Sequence, residues 1–322
     1  MSRAVLAGVM SALLTLCASL AAAEQFPDRP VRLVVPYPPG GVTDVTARVV
    51  AEAMSQTLGQ RVIVDNRPGA AGNVGSDLVA KSKPDGYTIL MSLIGNTIST
   101  SLFKDMPYDF ERDFVPVAQV TTSSNVLVVH PSVPARTPQE LIALAKARPG
   151  TLNYASTGNG TSTHLSGELF KLATGTSIVH VPYRGGAPAQ QDLLSGQVQM
   201  MFDNIPVSIR HIQLGALRAL ATTGPERSRG LPDVPTLAEA GVPDVVVEGW
   251  MGIVAPAGTP RPVIDKLNAA LNQALQVPHV RKTLEDTGAT LVGGTPEAFG
   301  AFIADETRKW ARVVKEARIS VD

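Results

Sequence analysis

Apolar residues in this chain fall into short runs separated by turn signals. Val31–Val35 (VRLVV) is a compact apolar run closed by Pro36, the pattern of a strand buried on both faces. After Pro38-Pro39-Gly40-Gly41, residues Ala47, Val50, Ala51, Met54 and Leu58 recur at helical spacing and form one apolar face. Thr43 or Asp44 is placed to cap that helix at its start, and Gly59 to end it. Residues 61–64 and 87–93 predict two more strands, with a helix near 76–81 between them. A second unit opens near Asn125, with strands expected at 126–129, 152–155, 178–181 and 217–221. Val198, Met200 and Phe202 alternate along a further strand that delivers Asp203. Between them, Thr137-Pro138-Gln139-Glu140 is a capping box. Leu165, Leu169, Leu172 and Ala173 mark a helix, and residues 191–195 end another at Gly196.

From Gly249 the chain predicts a strand at 250–255 and a helix at 262–275. A last helix follows, opened by Thr295-Pro296-Glu297 and running to about Ala317. Alternating strands and helices point to parallel α/β sheets. The last elements need a sheet to pack on. A return to the first unit, with crossings near residues 122 and 248, supplies one; a third small domain is the alternative. The expected division is 1–23 as an export signal, 24–122 and 249–322 as one lobe, and 123–248 as the other.

The export signal rests on Met1-Ser2-Arg3, an uncharged stretch from Ala4 to Ala23 and the end Ala21-Ala22-Ala23. Its many Ala, Ser, Thr and Gly residues make it a weak membrane anchor, and cleavage is expected after Ala23, leaving a periplasmic protein. Cys17 invites a lipid-attachment reading, but Leu16 stands where a small residue is needed. Cys17 is the single Cys, which excludes an internal disulfide and any Cys-based metal cluster. With 28 basic and 28 acidic residues and no Lys/Arg run, a general nucleic-acid binder is not expected.

Candidate chemistry lies in turns that follow strands, where open α/β sheets bind ligands. The loop of Tyr37, Gly40, Gly41, Thr43 and Asp44 leads from a strand into a helix start, whose free N–H groups favour an anion. The loop of Thr157, Gly158, Gly160, Thr161 and His164 repeats this arrangement in the second unit and adds hydroxyls. Two such loops facing one another suit a small molecule held between lobes that close on a hinge. Asp203 serves equally well as a ligand contact or as a helix cap. Trp250 reads as core or hinge packing. Gly69 to Gly75 spells G-x-x-G-x-x-G, which lacks the dinucleotide spacing. The five His residues form no metal-binding spacing, so neither metal nor cofactor is expected.

A family resemblance accompanies these readings. FPDRP followed by VRLVVPYPPGGVTD resembles the start of the Bug family, the extracytoplasmic solute-binding proteins of tripartite tricarboxylate transporters. The likeness continues through VIVDNRPGAAGNVG, PDGYTIL, YASTGNGTSTHL, VPYRGGAPAQQDLLSGQVQMMFDN, LPDVPTLAEAG and APAGTP, over essentially the whole chain beyond the signal. It implies a type II-like periplasmic-binding-protein fold, with two α/β lobes and a hinged cleft. It also implies that a ligand carboxylate is held by Gly40, Gly41, Thr43 and Asp44 of one lobe and Thr157, Gly158, Gly160, Thr161 and His164 of the other. By the same resemblance, Asp203 sits at the cleft edge. Ser92 and Asn96, in a loop after the third strand, are specificity positions.

The function expected is capture of a small organic acid (a di- or tricarboxylate, an acidic amino acid or an aromatic acid) by a monomer that delivers it to membrane permease subunits. No catalysis is expected. The alternatives are a carboxylate sensor docking on a signalling receptor, and an exported hydrolase using His164 with a nearby Ser or Thr.

Overall fold

A computed structural model of the chain describes residues 26–103, 105–317 and 319; the expected export signal lies outside them. Strand β1 (Val31–Val35) lies between β2 (Val62–Asn66) and β3 (Thr88–Leu93), parallel to both. Helix α1 (Val42–Leu58) crosses from β1 to β2, and α2 (Asn73–Ala80) from β2 to β3. Then come α3 (Ile94–Leu102), a single turn α4 (Phe110–Asp113) and β4 (Phe114–Val129), a strand of 16 residues. The second lobe follows: α5 (Pro138–Ala147), β5 (Asn153–Ser156), α6 (Ser162–Thr174), β6 (Val179–Pro182), α7 (Gly186–Leu194), β7 (Met200–Asn204), α8 (Ile205–Gln213) and β8 (Arg218–Thr222). The chain returns through β9 (Glu248–Pro256), α9 (Arg261–Ala274), α10 (Pro278–Asp286), β10 (Thr290–Gly293) and α11 (Pro296–Glu316).

The strand order is β2-β1-β3-β9-β4-β7-β5-β6, with β10 and β8 also paired to β4. Strand β4 therefore serves both sheets. Its first part pairs antiparallel with β9, from Phe114 opposite Pro256 to Ser124 opposite Glu248. Its last five residues pair with β7, from Asn125 opposite Asn204 to Val129 opposite Met200, and with β8. Sequence patterning captures only residues 126–129 of this strand. The stretch before them is broken by Pro116 and by two register shifts against β9, so no regular alternation marks it.

Three apolar clusters hold these layers. Val31, Leu33 and Val35 point from β1 onto Met54 of α1 and Leu267 and Leu271 of α9, while Val34 faces the opposite cluster. The doubly buried run read from the sequence is thus two faces of one strand. In β4, Leu127 and Val129 join Tyr154, Phe170 and Phe202; Val126 and Val128 join Met201, Ile205 and Leu217 on the other face. Helix α11 lays Phe299, Ile303 and Trp310 on the first sheet, with Trp310 fully buried.

Several starts differ from the expectation. Helix α1 begins at Val42 with Gly41 as its N-cap, so Thr43 and Asp44 lie inside its first turn. Asn96 is in α3, not in a loop, and Ser92 is inside β3. Thr137, Thr161 and Thr295 each cap a helix through the side-chain oxygen, accepting from Glu140, His164 and Ala298 N–H respectively.

Leu127 is fully buried in the shared strand, and truncating it leaves a cavity that its packed neighbours close only in part. Leu127→Ala is expected to lower stability by about 2–5 kcal/mol. Urea unfolding should show this as an earlier midpoint with an unchanged slope.

Candidate functional site: the interlobe cleft

A cleft of about 200 Å³ opens between the sheets, and both lobes line it. Its floor comes from the shared strands: Thr121 and Ser123 of β4, with Gly249, Trp250 and Met251 of β9. A Cβ placed on Gly249 would lie 3.5 Å from Ser123 Oγ and 3.7 Å from Ser162 Oγ, ordinary contact distances to a hydroxyl of the floor and one of the second-lobe wall.

The first-lobe wall is Tyr37, with Val42, Thr43 and Thr46 of α1 and the Leu93-Ile94-Gly95 start of α3. The loop before α1 is fixed from behind by Asp44. That carboxylate accepts from Gly40 N–H, Arg48 Nε and Asn66 Nδ2, each at 3.0 Å. The Arg48 guanidinium above all, with Gly40 N–H and Asn66, brings its pKa down to about 2 against the opposing effect of burial. Asn66 also donates to Tyr37 O at 3.1 Å. Helix α1 has no side-chain cap, so no capping side chain takes up the N–H groups of its first turn.

The Gly69–Gly75 motif backs the same wall. Ala70 and Ala71 have left-handed backbones, and Tyr37 Oη donates to Ala71 O at 3.4 Å. A Cβ on Gly75 would lie 2.8 Å from Arg67 O and 2.9 Å from Pro36 Cβ, so this glycine permits close packing. Burial, with Tyr108 nearby, pushes the Tyr37 phenol up to about 12, which keeps it a proton donor.

The second-lobe wall is Thr157, Gly160, Thr161 and Ser162 at the start of α6, and Asn204 and Pro206 at the start of α8. Thr163 Oγ1 receives Thr157 N–H at 2.9 Å and lies 2.9 Å from Thr161 Oγ1, which knits the loop. Beneath it, His164 and His180 stack with centroids 4.1 Å apart. His164 Nδ1 accepts from Gly160 N–H at 3.2 Å, and His180 Nε2 lies 2.6 Å from Ser156 Oγ. Burial drives both imidazoles down, His164 to about 4 and His180 to about 3, so the stack is neutral near pH 7.

Of the residues named from sequence, Tyr37, Thr43, Thr157, Gly160 and Thr161 line the cleft. Gly40, Gly41 and Gly158 belong to the two wall loops without lining it, and Asp44 and His164 hold those loops in shape. Ser92 Oγ donates to Gly252 O at 2.9 Å inside the first sheet. Asn96 Oδ1 accepts Leu93 N–H, capping α3, and its Nδ2 donates to Ser76 and Tyr108. Asp203 is 1% exposed and accepts from Ser208 Oγ, Asn204 N–H and Gln190 Nε2. Its place is beneath the start of α8. Burial pushes its pKa up, opposed by those donors.

Trp250 does pack in the core, edge-on to Phe299 and Phe302 at 5.7 and 5.6 Å, yet it also borders the cleft. Sequence reasoning missed Thr121, Ser123, Asn204, Thr287 and Ala289. A polar pair spaced by two in TTSSN was the available signal for the floor. Thr287 and Ala289 lie in the turn between α10 and β10, where sequence offers no sign of contact with the other lobe.

Among the described residues no helix is long and apolar enough to cross a membrane, and no cluster of His, Cys, Asp or Glu could hold a metal. Comparison with known proteins gives the cleft its context. Residues 46–319 match the family model described as the tripartite tricarboxylate transporter family receptor. The chain belongs to this receptor family. It is 44% identical to Protein BugT of Bordetella pertussis over 296 residues, 91% of each chain. Among solved structures, R. palustris Rpa4515 with adipate is 37% identical with a TM-score of 0.82, covering 92% of this chain and 99% of that one. MatC from Rhodopseudomonas palustris with bound malate is 34% identical with a TM-score of 0.79, covering 90% of this chain and 100% of that one. The two-lobed periplasmic-receptor fold of this family is therefore the fold of this chain.

Two outcomes follow from the geometry. The histidine pKa values lie below the ordinary 6.5, so below that pH the unfolded chain binds protons that the folded one refuses. Stability is fully present above about pH 6.5 and falls as pH drops toward 4. Thermal melts between pH 7 and 5 should show that fall, and it should be smaller in the double variant His164→Gln/His180→Gln. Separately, Gly288 in the α10–β10 turn has φ +71°, and a Cβ there would lie 3.2 Å from Pro206 Cγ of the second lobe. A β-branched side chain is strained at that φ and its Cβ would crowd Pro206, so Gly288→Val should lower the melting temperature; an unchanged melt would show that the turn absorbs both.

Proposed function

We propose that this receptor captures a small organic carboxylate between its lobes in the periplasm, closes over it and presents the closed form to the permease of a tripartite transporter. The observation that carries this is the makeup of the cleft: hydroxyls and helix starts from both lobes, and no ionised side chain. Such a lining suits an anion, because free N–H groups, hydroxyls and positive helix ends all favour negative charge. Relatives of the same fold hold adipate and malate, which supports a carboxylate as the class of ligand.

In this reading Thr43, with the first-turn N–H groups of α1, takes the carboxylate from one lobe. Thr157, Thr161 and Ser162 meet it from the other. Tyr37, Thr121, Ser123 and Asn204 contact the rest of the molecule. The lobes are 24–122 with 249–322, and 123–248, joined where β4 and β9 cross; residues 1–23 are removed on export. The closed state gains because it alone brings both walls to the ligand. The working unit is the monomer.

The role is binding without turnover. His164 is occupied by Gly160 N–H, and the Ser156–His180 pair has its Ser fully buried, outside the lining of the cleft. A nucleophile must reach its substrate, and Ser156 does not.

Thermal unfolding against a panel of dicarboxylates, tricarboxylates and aromatic acids tests this. A true ligand at ~100 times its dissociation constant adds about 2.7 kcal/mol and raises the melting temperature by several degrees. Thr43→Val and Thr161→Val should each reduce that gain. Silence across the panel, repeated after unfolding and refolding to strip any retained ligand, would remove the carboxylate reading.

A further inference from the structure

We propose that Asn159 and Gly160, in the second-lobe wall loop, form a self-modifying site: the Gly160 backbone nitrogen attacks the Asn159 side-chain amide, ammonia leaves, and an aspartate or isoaspartate remains at position 159. The modification rests on the geometry of the loop alone. Only its effect on binding rests on the carboxylate reading above.

Nine Asn residues occur in the chain, and Asn159 alone is followed by Gly. Elsewhere the next residue carries a side chain that hinders ring closure, as in Asn66-Arg67, Asn125-Val126 and Asn204-Ile205. Asn66, Asn96, Asn125, Asn268 and Asn272 are also tied down, each donating through its side-chain amide. Asn159 is exposed, and its amide makes no hydrogen bond with any described residue. It stands between Gly158 at φ +134° and Gly160 at φ +74°, so neither neighbour puts a Cβ in the way. The following glycine is itself required. Its backbone is left-handed, and a Cβ there would lie 3.1 Å from Leu102 Cδ2 of the first lobe.

The proton of the attacking nitrogen already points at a base. Gly160 N–H donates to His164 Nδ1 at 3.2 Å, in a buried hydrogen bond. Burial keeps His164 neutral near pH 7, so Nδ1 offers a lone pair. An amide nitrogen becomes nucleophilic as its proton is withdrawn, and a base within hydrogen-bond reach is placed to withdraw it. The bond between Gly160 N and Asn159 Cγ forms as His164 takes the proton. The Cγ–Nδ2 bond then breaks, and the proton returns to the leaving nitrogen, which departs as ammonia. Solvent water opens the cyclic imide at either carbonyl, giving aspartate through one and isoaspartate through the other.

Either product alters the wall. Aspartate puts a negative charge beside Thr157, Gly160 and Thr161, which line the cleft. Isoaspartate lengthens the backbone by one methylene just before the Gly160 N–H that His164 holds. A carboxylate ligand is disfavoured by like charge in the first case and, in both, by a displaced loop.

The test is peptide mass spectrometry of the purified protein held at mildly alkaline pH. A gain of about one mass unit, located at residue 159 by fragmentation, is expected, and Asn159→Gln should abolish it. An unmodified Asn159, after a time in which a synthetic peptide of residues 154–165 has converted, overturns the proposal. His164→Gln keeps an acceptor but removes the base, and should slow the gain at least about tenfold. If His164 merely braces the loop, its loss frees the loop and the gain quickens, which overturns its part in the step. Asn159→Asp supplies one product in pure form. In calorimetry with the acids of the panel above it should bind about tenfold more weakly than the parent. Equal affinity overturns the effect on binding and leaves the modification in place. Silence of the parent across that panel removes the carboxylate reading and, with it, the effect on binding, but not the modification.

Discussion

The backbone ladder between β4 and β9 is the constraint on which the molecule depends. A strand of 16 residues gives its first part to one sheet and its last five residues to another, and β9 accompanies it up to the point of exchange. Both sheets satisfy their backbone groups through the same strand, so neither can slide without breaking hydrogen bonds. The cleft lies where the strand changes partners. Its floor is made of strand residues, Thr121 and Ser123 beside Gly249, and its walls are helix starts that the parallel strands deliver. One topological fact accounts for both the two-lobed shape and the position of the site.

The distribution of charge follows a consistent rule. Ionisable groups near the cleft stand behind its walls and shape the loops, and uncharged donors face the ligand space. Asp44 fixes the loop before α1, the His164–His180 stack supports the loop before α6, and Asp203 sits beneath the start of α8. Ionised Asp44 can be buried because three donors surround it, and the histidines because they stay neutral. The cleft then presents hydroxyl-bearing side chains and helix starts, with no ionised side chain among its lining residues. A net charge of zero suits this arrangement, since the attraction for an anion is local.

Much of the fold was legible in the chain. The apolar run at β1, the helical spacing in α1, α6 and α9, and the Thr caps at 137 and 295 all correspond to observed elements. These signals are local, set by alternation, by 3.6-residue spacing and by side chains that bond the next turn. The two wall loops were equally legible, because a strand followed by Gly and a helix start is a short-range pattern. Less visible were α3, α8 and α10, which span nine residues each and so give periodicity little length in which to show.

Sequence alone determined the α/β character, the charge balance, the lack of a second Cys for an internal disulfide, and the two loops that come to border the cleft. Tertiary structure decided which of the polar residues in those loops face the ligand space. Along the chain, Asp44 and Asp203 are each open to a capping or a ligand role, His164 is a candidate contact and Asn96 a specificity position implied by the resemblance, yet their polar atoms are taken up by Arg48, Ser208, Gly160 N–H and Leu93 N–H respectively. Thr121, Ser123, Asn204, Thr287 and Ala289 carry no motif and become lining because distant segments meet there. The physical reason is the range of the information. A helix cap or a buried face is decided within a few residues, whereas the partner of a side chain is decided by packing between elements far apart in the chain.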